Sequence, residues 1–299
     1  YLLCLFLSMD KSSLATWMLL LGVVFWGATF VFIKEAVALI DVYSFIAVRF
    51  FIAAVILSLI FYKHFKNYSM EILKKGVLIG FVLGISFIFQ TTGLQYTTAS
   101  NAAFITGLCV VLVPIFVCFL DKKLPSLMQG VAIFLAFIGI CLLTLNSFSL
   151  KFNIGDLWVL LCAVTFGIHL VMVSRLVKKI DAPMFSITQL VIVCLIALLF
   201  GFVFNAGIVI PSGFVVWKSI LFCAIFATAF MYTAQAFLQR YITELKVAII
   251  YSFEPLFAAL IAFLYLGEIL SFKALIGGLL VFVAMFLSEF KVEKFVEAS

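Results

Sequence analysis

Ten apolar stretches, each of roughly the 20 residues that a helix needs to cross a bilayer, are separated by short loops that hold nearly all of the charge. A backbone can cross the hydrocarbon core only as a helix or as part of a closed barrel. Because 67% of the residues are hydrophobic and form long unbroken runs instead of alternating ones, helices are favoured. The sequence therefore predicts an all-α integral membrane protein with ten transmembrane helices. The predicted spans are residues 14–34, 43–62, 74–95, 100–120, 127–146, 155–175, 183–205, 215–238, 246–266 and 271–290.

The loops between these spans are only 4 to 11 residues long. They leave no room for a soluble active site, a nucleotide-binding fold or a nucleic-acid-binding module. Seven cysteines lie almost entirely inside the spans and lack the spacing of a metal site, so they are interpreted as small apolar packing residues. We expect no enzyme activity, no cofactor, no metal and no nucleic-acid partner. The expected partners are the lipid bilayer, a small-molecule substrate and a coupling proton.

Lys and Arg are distributed unequally between the two sides of the predicted bundle. If the N-terminus is cytoplasmic, fourteen of them lie on the cytoplasmic side and four on the opposite side, while Arg49 lies within the second span. Cytoplasmic loops of membrane proteins carry such an excess of positive charge. The sequence thus predicts a multi-pass protein of the bacterial cytoplasmic (inner) membrane with both termini in the cytoplasm.

The segment 1–8 is apolar, but it is too short for a signal sequence and lacks the basic start of one. The residues Met9, Asp10 and Lys11 that follow are typical of an ordinary initiation site. We therefore expect segment 1–8 to lie outside the fold, as an upstream or unstructured segment.

An internal repeat divides the chain into two halves of five spans, residues 14–146 and 155–290. Residues about 140 to 145 positions apart match in order along both halves. An odd number of spans per half forces the second half to enter the membrane from the other side, so the halves are predicted to be inverted repeats, as in secondary transporters. The matched pairs include Gly27 with Gly167, Thr29 with His169, Gln90 with Gln235, and Tyr96 with Tyr241.

Five short segments occur along these halves: FWGATF at 25–30, AVRF at 47–50, QYTTASNAAF at 95–104, SFEPLFAA at 252–259 and LGE at 266–268. In this order they resemble the drug/metabolite transporter superfamily, in its EamA-like branch. The resemblance covers essentially all of residues 14–290, once in each half. It implies a ten-helix carrier for a small metabolite such as an amino acid, or for a toxic organic compound. It also implies a central cavity between the halves, with the last span of each half at the periphery.

The leading interpretation is a secondary active transporter of a small organic solute, an amino acid or related metabolite, that works by alternating access. The alternatives are a multidrug or toxic-compound exporter of the same fold, or a passive channel or scramblase. A channel needs a continuous polar path, whereas polar residues inside the spans are few and scattered. A membrane enzyme acting on lipid would need clustered Asp, His or Ser, yet the only histidines are His64 and His169. The sequence leaves open a monomer or a homodimer.

Two charged residues within the spans are the main candidates for substrate binding. Glu254 lies roughly 12 Å deep, where a lone carboxylate costs at least about 2.5 kcal/mol. It could bind a substrate amine, carry a proton, or bond backbone groups freed by Pro255. Arg49 has a planar guanidinium that suits a carboxylate, and the alternatives are snorkelling or a structural pair with Glu254 or Asp41. A zwitterionic substrate could also be held between Arg49 and Glu254.

Proline and aromatic residues add further candidates. Pro114 and Pro255 are predicted to kink the fourth and ninth spans. Trp26 falls in the middle of its span instead of at the membrane interface, which favours a place in the cavity. It shares a helical face with Thr29. Thr29 is matched in the repeat with His169, which could relay a proton or hydrogen-bond to a neighbouring helix.

Three polar side chains complete the predicted site. Gln90 and Gln235 are the best matched polar pair of the repeat, and they could line the transport path or form hydrogen bonds between helices. Tyr251 lies three residues before Glu254 and therefore on the same helical face. From there it could donate a hydrogen bond to the substrate or to the carboxylate.

Overall fold

The computed structural model describes residues 11–122, 124, 126–144, 153–176, 180–205, 207–238, 241 and 250–289, so segment 1–8 lies outside it. Within these ranges the regular structure is helical, without a strand. The helices of the first half are α1 (Lys11–Val37), α2 (Val42–Ile60), a short 3-10 helix (Tyr62–Asn67), α3 (Met70–Tyr96), α4 (Ala99–Leu120) and α5 (Leu127–Thr144). Those of the second half are α6 (Ile154–Leu176), α7 (Ala182–Phe204), α8 (Phe214–Phe222), a π-helix (Cys223–Phe230), α9 (Met231–Leu238), α10 (Glu254–Leu266) and α11 (Phe272–Glu289).

Most of these helices are membrane helices by length and composition. Seven helical stretches of the described chain are long and apolar enough to cross a bilayer, one of them formed by α8, the π-helix and the start of α9. Three shorter apolar helices accompany them, within α5, α10 and α11. The helix bounds lie within four residues of the predicted spans everywhere except in the ninth.

The ninth span differs from the prediction of one helix over residues 246–266. Ser252 and Phe253 form a turn, and α10 begins only at Glu254. Pro255 lies in the first turn of α10, where a helix needs no N–H donor. A helix running on from residues 250–251 would require that missing donor, so the chain breaks before the proline. Residues 242–249 lie outside the described part of the chain.

The helices α2 and α7 begin in the same way. The Asp41 carboxylate accepts a hydrogen bond from the Ser44 N–H at 2.9 Å, and the Asp181 carboxylate accepts one from the Met184 N–H at 3.1 Å. An Asp cap of this kind typically stabilises a helix by about 1 kcal/mol. The two caps are 140 residues apart, which is the offset of the internal repeat in its first spans.

One end of the bundle is here called the basic end, because four lysines flank the loop between α2 and α3. Polar contacts at this end join α2 to α7 and α4 to α6. His64 Nδ1, after α2, lies 2.8 Å from Asp181 Oδ2, which also accepts a hydrogen bond from Asn67 at 2.6 Å. Arg175, in the last turn of α6, pairs with Asp121 after α4 at 2.7 Å. Partial burial raises the pKa of Asp181, but the hydrogen bonds from His64, Asn67 and a backbone N–H outweigh it and hold that pKa below its usual range.

A second set of contacts joins helices at the opposite end. Lys34, in the last turn of α1, donates to the Thr97 carbonyl between α3 and α4, and the Thr97 hydroxyl donates to the buried Asp156 in the first turn of α6. Glu268, which follows α10, accepts hydrogen bonds from the first two N–H groups of α4 at 2.9 and 3.1 Å. Thus α6 starts where α1 ends, and α4 starts where α10 ends.

The core of the bundle is made by contacts between the two halves. The helix α2 packs on α7, α3 packs on both α6 and α7, α4 packs on α6, and α1 packs on α10. The helices α5 and α11 make their main contacts with each other and with α4. They cross closely at Gly139 and Gly277. A Cβ atom on Gly139 would lie only 2.8 Å from the Gly277 carbonyl oxygen.

This crossing gives a first testable prediction. Gly139→Ala is expected to lower the Tm of the purified protein, since its Cβ would meet backbone atoms that cannot move aside, at a cost of about 1–3 kcal/mol. Gly130→Ala, in the same helix, has nothing within 4 Å of the new Cβ and should leave the Tm unchanged or slightly higher. Equal melting temperatures of the two variants would contradict the close crossing.

Candidate functional site

A cavity of about 470 Å³ lies in the middle of the bundle, between helices of both halves. Its lining comes from α1, α2, α3, α4, α6, α7, the π-helix, α9, the segment before α10, α10 and α11. Seven of the eight residues predicted to bind substrate line it: Trp26, Thr29, Arg49, Gln90, His169, Tyr251 and Glu254. The eighth, Gln235, lies in α9, and its side chain is outside the described part of the chain.

Arg49 lies within α2 and is buried, with 4% of its surface exposed. Its Nη2 and Nε donate to the Thr228 hydroxyl at 3.2 and 3.4 Å. The guanidinium also lies over the rings of Phe50 and Phe87, 5.1 and 5.2 Å from their centroids, where the cation is attracted to the ring faces. These contacts fix its orientation while its charge still faces the cavity.

No described carboxylate lies within 4.0 Å of the Arg49 guanidinium. The predicted alternatives of an ion pair with Glu254 or Asp41 are therefore wrong, and burial also excludes snorkelling towards the membrane surface. A buried cation without a carboxylate partner is costly in a medium of low polarity. The cavity thus contains a positive charge whose counter-charge the described chain does not supply.

The π-helix Cys223–Phe230 positions two of the lining residues. Thr228 donates its hydroxyl hydrogen to the Cys223 carbonyl at 2.9 Å, five residues earlier, so its oxygen lone pairs are free to accept from Arg49. The Ala227 carbonyl accepts a hydrogen bond from the Trp26 indole N–H at 2.7 Å. Such π-helical turns are rare and frequently occur at functional sites.

Glu254, the first residue of α10, places a carboxyl group in the lining of the same cavity. Gly27 lets α1 approach this point closely, because a Cβ there would lie 2.8 Å from the Ala258 nitrogen and 3.1 Å from the Glu254 carbonyl oxygen. Within the described chain, the Glu254 carboxylate has neither a hydrogen-bond nor an ion-pair partner. Beside it, the rings of Trp26 and Tyr251 meet edge to face at 5.2 Å between centroids.

The uncharged polar residues of the lining form local hydrogen bonds. The Gln90 amide donates to the Thr106 hydroxyl at 3.4 Å, and the Thr29 hydroxyl donates to the Trp26 carbonyl at 2.6 Å. His169 Nε2 lies 2.8 Å from Gln189 Oε1 on α7. His169 on α6 is thus hydrogen-bonded to another helix, which is one of the two interpretations of this residue that the sequence left open.

Several polar lining residues were missed by sequence reasoning, among them Thr106, Gln189 and Thr228. Gln189 had a signal in the sequence, since it lies 140 residues after Arg49, as Asp181 does after Asp41. Thr228 had no such signal in the sequence, because its contact with Arg49 depends on the π-helix. No pattern of residue types predicts a π-helix at this place.

The two prolines occupy different structural positions. Pro114 is buried inside α4, which continues as a helix to Leu120, whereas Pro255 follows the turn that precedes α10. The sequence separation from Tyr96 to Pro114 exceeds that from Tyr241 to Pro255 by four residues. The two halves therefore differ locally in the fourth and ninth spans.

One residue of the cavity lining lies at an end of the bundle. Ala182, the first residue of α7, is exposed and lines the cavity, so the cavity extends to the basic end. At the opposite end, the contacts of Lys34, Thr97 and Asp156 join α1, α3 and α6.

No group of three or more His, Cys, Asp or Glu residues suited to a metal ion occurs among the described residues.

Comparison with known proteins shows relatives over nearly the whole chain. An uncharacterized transporter of Archaeoglobus fulgidus is 32% identical over 89% of this chain and 83% of its own length. The uncharacterized transporter YoaV of Bacillus subtilis is 27% identical over 89% of this chain and 93% of its own. A WAT1-related chloroplastic protein of Arabidopsis thaliana is 25% identical over 95% of this chain and 72% of its own.

A solved crystal structure shares the fold, with a TM-score of 0.63 at 15% identity over 92% of this chain and 96% of the other. The sequence model of the EamA-like transporter family matches residues 13–145 and again residues 153–290. The apolar helices, the two matches to the family model and the names of the relatives from Archaeoglobus and Bacillus all indicate a membrane transporter. The chain therefore belongs to the EamA-like transporter family and is a multi-pass membrane protein.

Proposed function

We propose that this chain is a secondary active transporter that moves an amino acid or a related metabolite across the cytoplasmic membrane by alternating access. One observation carries the proposal: Arg49 and Glu254 line the same cavity, and neither has a counter-charge among the described residues. A zwitterion supplies both missing charges at once, its carboxylate to Arg49 and its ammonium to Glu254.

The arrangement of the halves supports alternating access. The start of α6 meets the end of α3 at the end of the bundle where α1 also ends, and the start of α7 meets the end of α2. Equivalent helices of the two halves would thus point in opposite directions, as inverted repeats do. Two such halves can exchange conformations and expose one site to either side in turn.

The proposed orientation places the basic end in the cytoplasm, because its loops carry most of the Lys and Arg. The cavity extends to that end, while hydrogen bonds join α1, α3 and α6 at the other. This conformation corresponds to a carrier that faces the cytoplasm.

The proposal predicts that binding requires both charges of the solute. An amino acid at about 100 times its Kd should stabilise the purified protein by about 2.7 kcal/mol, which is expected to raise its Tm by about 5 °C or more. The carboxamide of the same amino acid and its deaminated acid, at equal concentration, should give much smaller shifts. The measurement is a thermal-shift screen in detergent, followed by counterflow uptake of the best ligand into proteoliposomes.

The screen separates the rival functions. Shifts produced by several unrelated organic cations, without shifts from amino acids, would replace the proposal with a multidrug exporter. Uptake that does not saturate and shows no counterflow would indicate a channel.

A further inference from the structure

His169 on α6 and Gln189 on α7 form a hydrogen-bonded pair, and both side chains line the cavity. Gln189 is buried, with 3% of its surface exposed. No carboxylate of the described chain lies within 4.0 Å of the His169 ring. Within the described residues neither the amide nitrogen of Gln189 nor the second ring nitrogen of His169 has another hydrogen-bond partner.

The hydrogen-bonding capacity left on this pair is the same for either assignment of its hydrogens. A neutral imidazole has one donor and one acceptor nitrogen, and a carboxamide has an NH2 group and an oxygen. If His169 donates to the Gln189 oxygen, the amide NH2 remains as a donor and the other ring nitrogen as an acceptor. If the amide is turned over and donates to His169, the free groups are the amide oxygen and a ring N–H.

In both cases one donor and one acceptor of the pair remain free. They match a hydroxyl or a carboxamide, which donates and accepts. A carboxylate can only accept and an ammonium can only donate, so each would leave one member of the pair unpaired in a buried place, at a cost in binding.

The position of Gln189 separates it from the residues that would hold a zwitterionic headgroup. Arg49 and Gln189 each lie seven residues after the first residue of their helices, α2 and α7, thus roughly 10 Å from that helix end. Since α2 begins at the opposite end and α7 at the basic end, roughly 10 Å separates the two residues along the axis of a bundle about 30 Å thick. The two residues therefore lie at different depths in the lining of one cavity.

We propose that His169 and Gln189 form a second polar subsite, which binds an uncharged group in the solute's side chain that both donates and accepts hydrogen bonds. The inference rests on the proposed function, because it takes Arg49 and Glu254 as the sites for the headgroup. The preferred solutes are then amino acids with a hydroxyl or carboxamide side chain. Amino acids with an acidic side chain or with a purely apolar one bind less well.

Three amino acids of similar size test this subsite: glutamine, methionine and glutamate. Wild-type protein should bind glutamine about 10- to 100-fold more tightly than the other two, as measured by thermal-shift titration in detergent. Gln189→Met, which keeps the length of the side chain but removes its amide, should weaken glutamine binding by at least tenfold. The same variant should bind methionine at least as tightly as the wild type does, because the amide that methionine leaves unpaired is gone.

Gln129→Met serves as the matched control, since Gln129 lies at the start of α5, away from the cavity, and should change no affinity. A second variant, His169→Phe, removes the other member of the pair, on α6, and should also remove the preference for glutamine.

Each outcome of these titrations supports or overturns a specific claim. Equal affinities for the three amino acids in the wild type would overturn the subsite while leaving the proposed transporter intact. A uniform loss of all three affinities in Gln189→Met would also overturn it, because that pattern indicates a packing role. If no amino acid binds the wild type, the proposed function fails together with the subsite.

Discussion

Glu254→Gln is expected to abolish net proton-driven uptake of the solute into proteoliposomes, with a fall of about 100-fold or more. The Glu254 carboxyl group lines the cavity, and glutamine of the same size can neither release a proton nor form an ion pair with an ammonium group. Removing one member of a buried charge pair costs about 2–5 kcal/mol of binding, which corresponds to roughly 30-fold or more in Kd.

The fold should tolerate this substitution. Glu254 is the first residue of α10 and has no partner in the described chain, so the amide removes a costly charge without breaking a contact. Glu71→Gln provides the matched control, because Glu71 is largely exposed and, among the described residues, pairs with Lys75 on the same helix. Unchanged pH-dependent uptake in Glu254→Gln would remove this residue from the transport mechanism.

Arg49→Gln is expected to weaken amino-acid binding by roughly 30- to 1,000-fold, equivalent to about 2–4 kcal/mol. The substitution removes the cation proposed to bind the solute carboxylate, while glutamine is the residue that occupies the corresponding position in α7. Arg49→Lys should restore part of the loss, because lysine keeps the charge but not the planar pair of donors. Titrations of each variant with the best ligand give the measurement.

Stability distinguishes this binding role from a structural one. A buried guanidinium without a carboxylate partner contributes little net stability, so the Tm of unliganded Arg49→Gln should not fall. Arg175→Gln, which breaks a half-exposed pair with Asp121 at the basic end, should change ligand affinity by less than about twofold. A large drop in the Tm of Arg49→Gln with unchanged affinity would show that Arg49 holds the bundle together and does not bind the solute.

The sequence predicts the helices well and their interruptions poorly. Length and hydropathy determine where a helix can cross the bilayer, and this information is local. The turn before α10 depends on Pro255, whose sequence signal predicts a kink but does not fix where the helix stops. The π-helix places Thr228 and Ala227 in contact with Arg49 and Trp26, which are far away in the chain.

Part of the candidate site was predictable, because polar residues inside a bilayer cost free energy and are therefore rare. Charged and polar side chains inside apolar spans are rare because their burial costs free energy, so Arg49, Glu254 and His169 stood out from their neighbours. Their partners did not. Gln189 had only the signal of its repeat position, 140 residues after Arg49, and Thr228 became visible only when the π-helix placed it beside Arg49.

The sequence by itself determined that this chain is a bundle of apolar helices with a few buried charges, because hydropathy and charge are properties of each residue. Only the tertiary structure decided that Arg49 and Glu254 line one cavity without pairing with each other. Distances between helices depend on how the side chains of the two halves pack. Gly27 allows close contact with α10, and Gly139 allows close contact with α11. Such contacts join residues more than a hundred positions apart, and no local pattern encodes them.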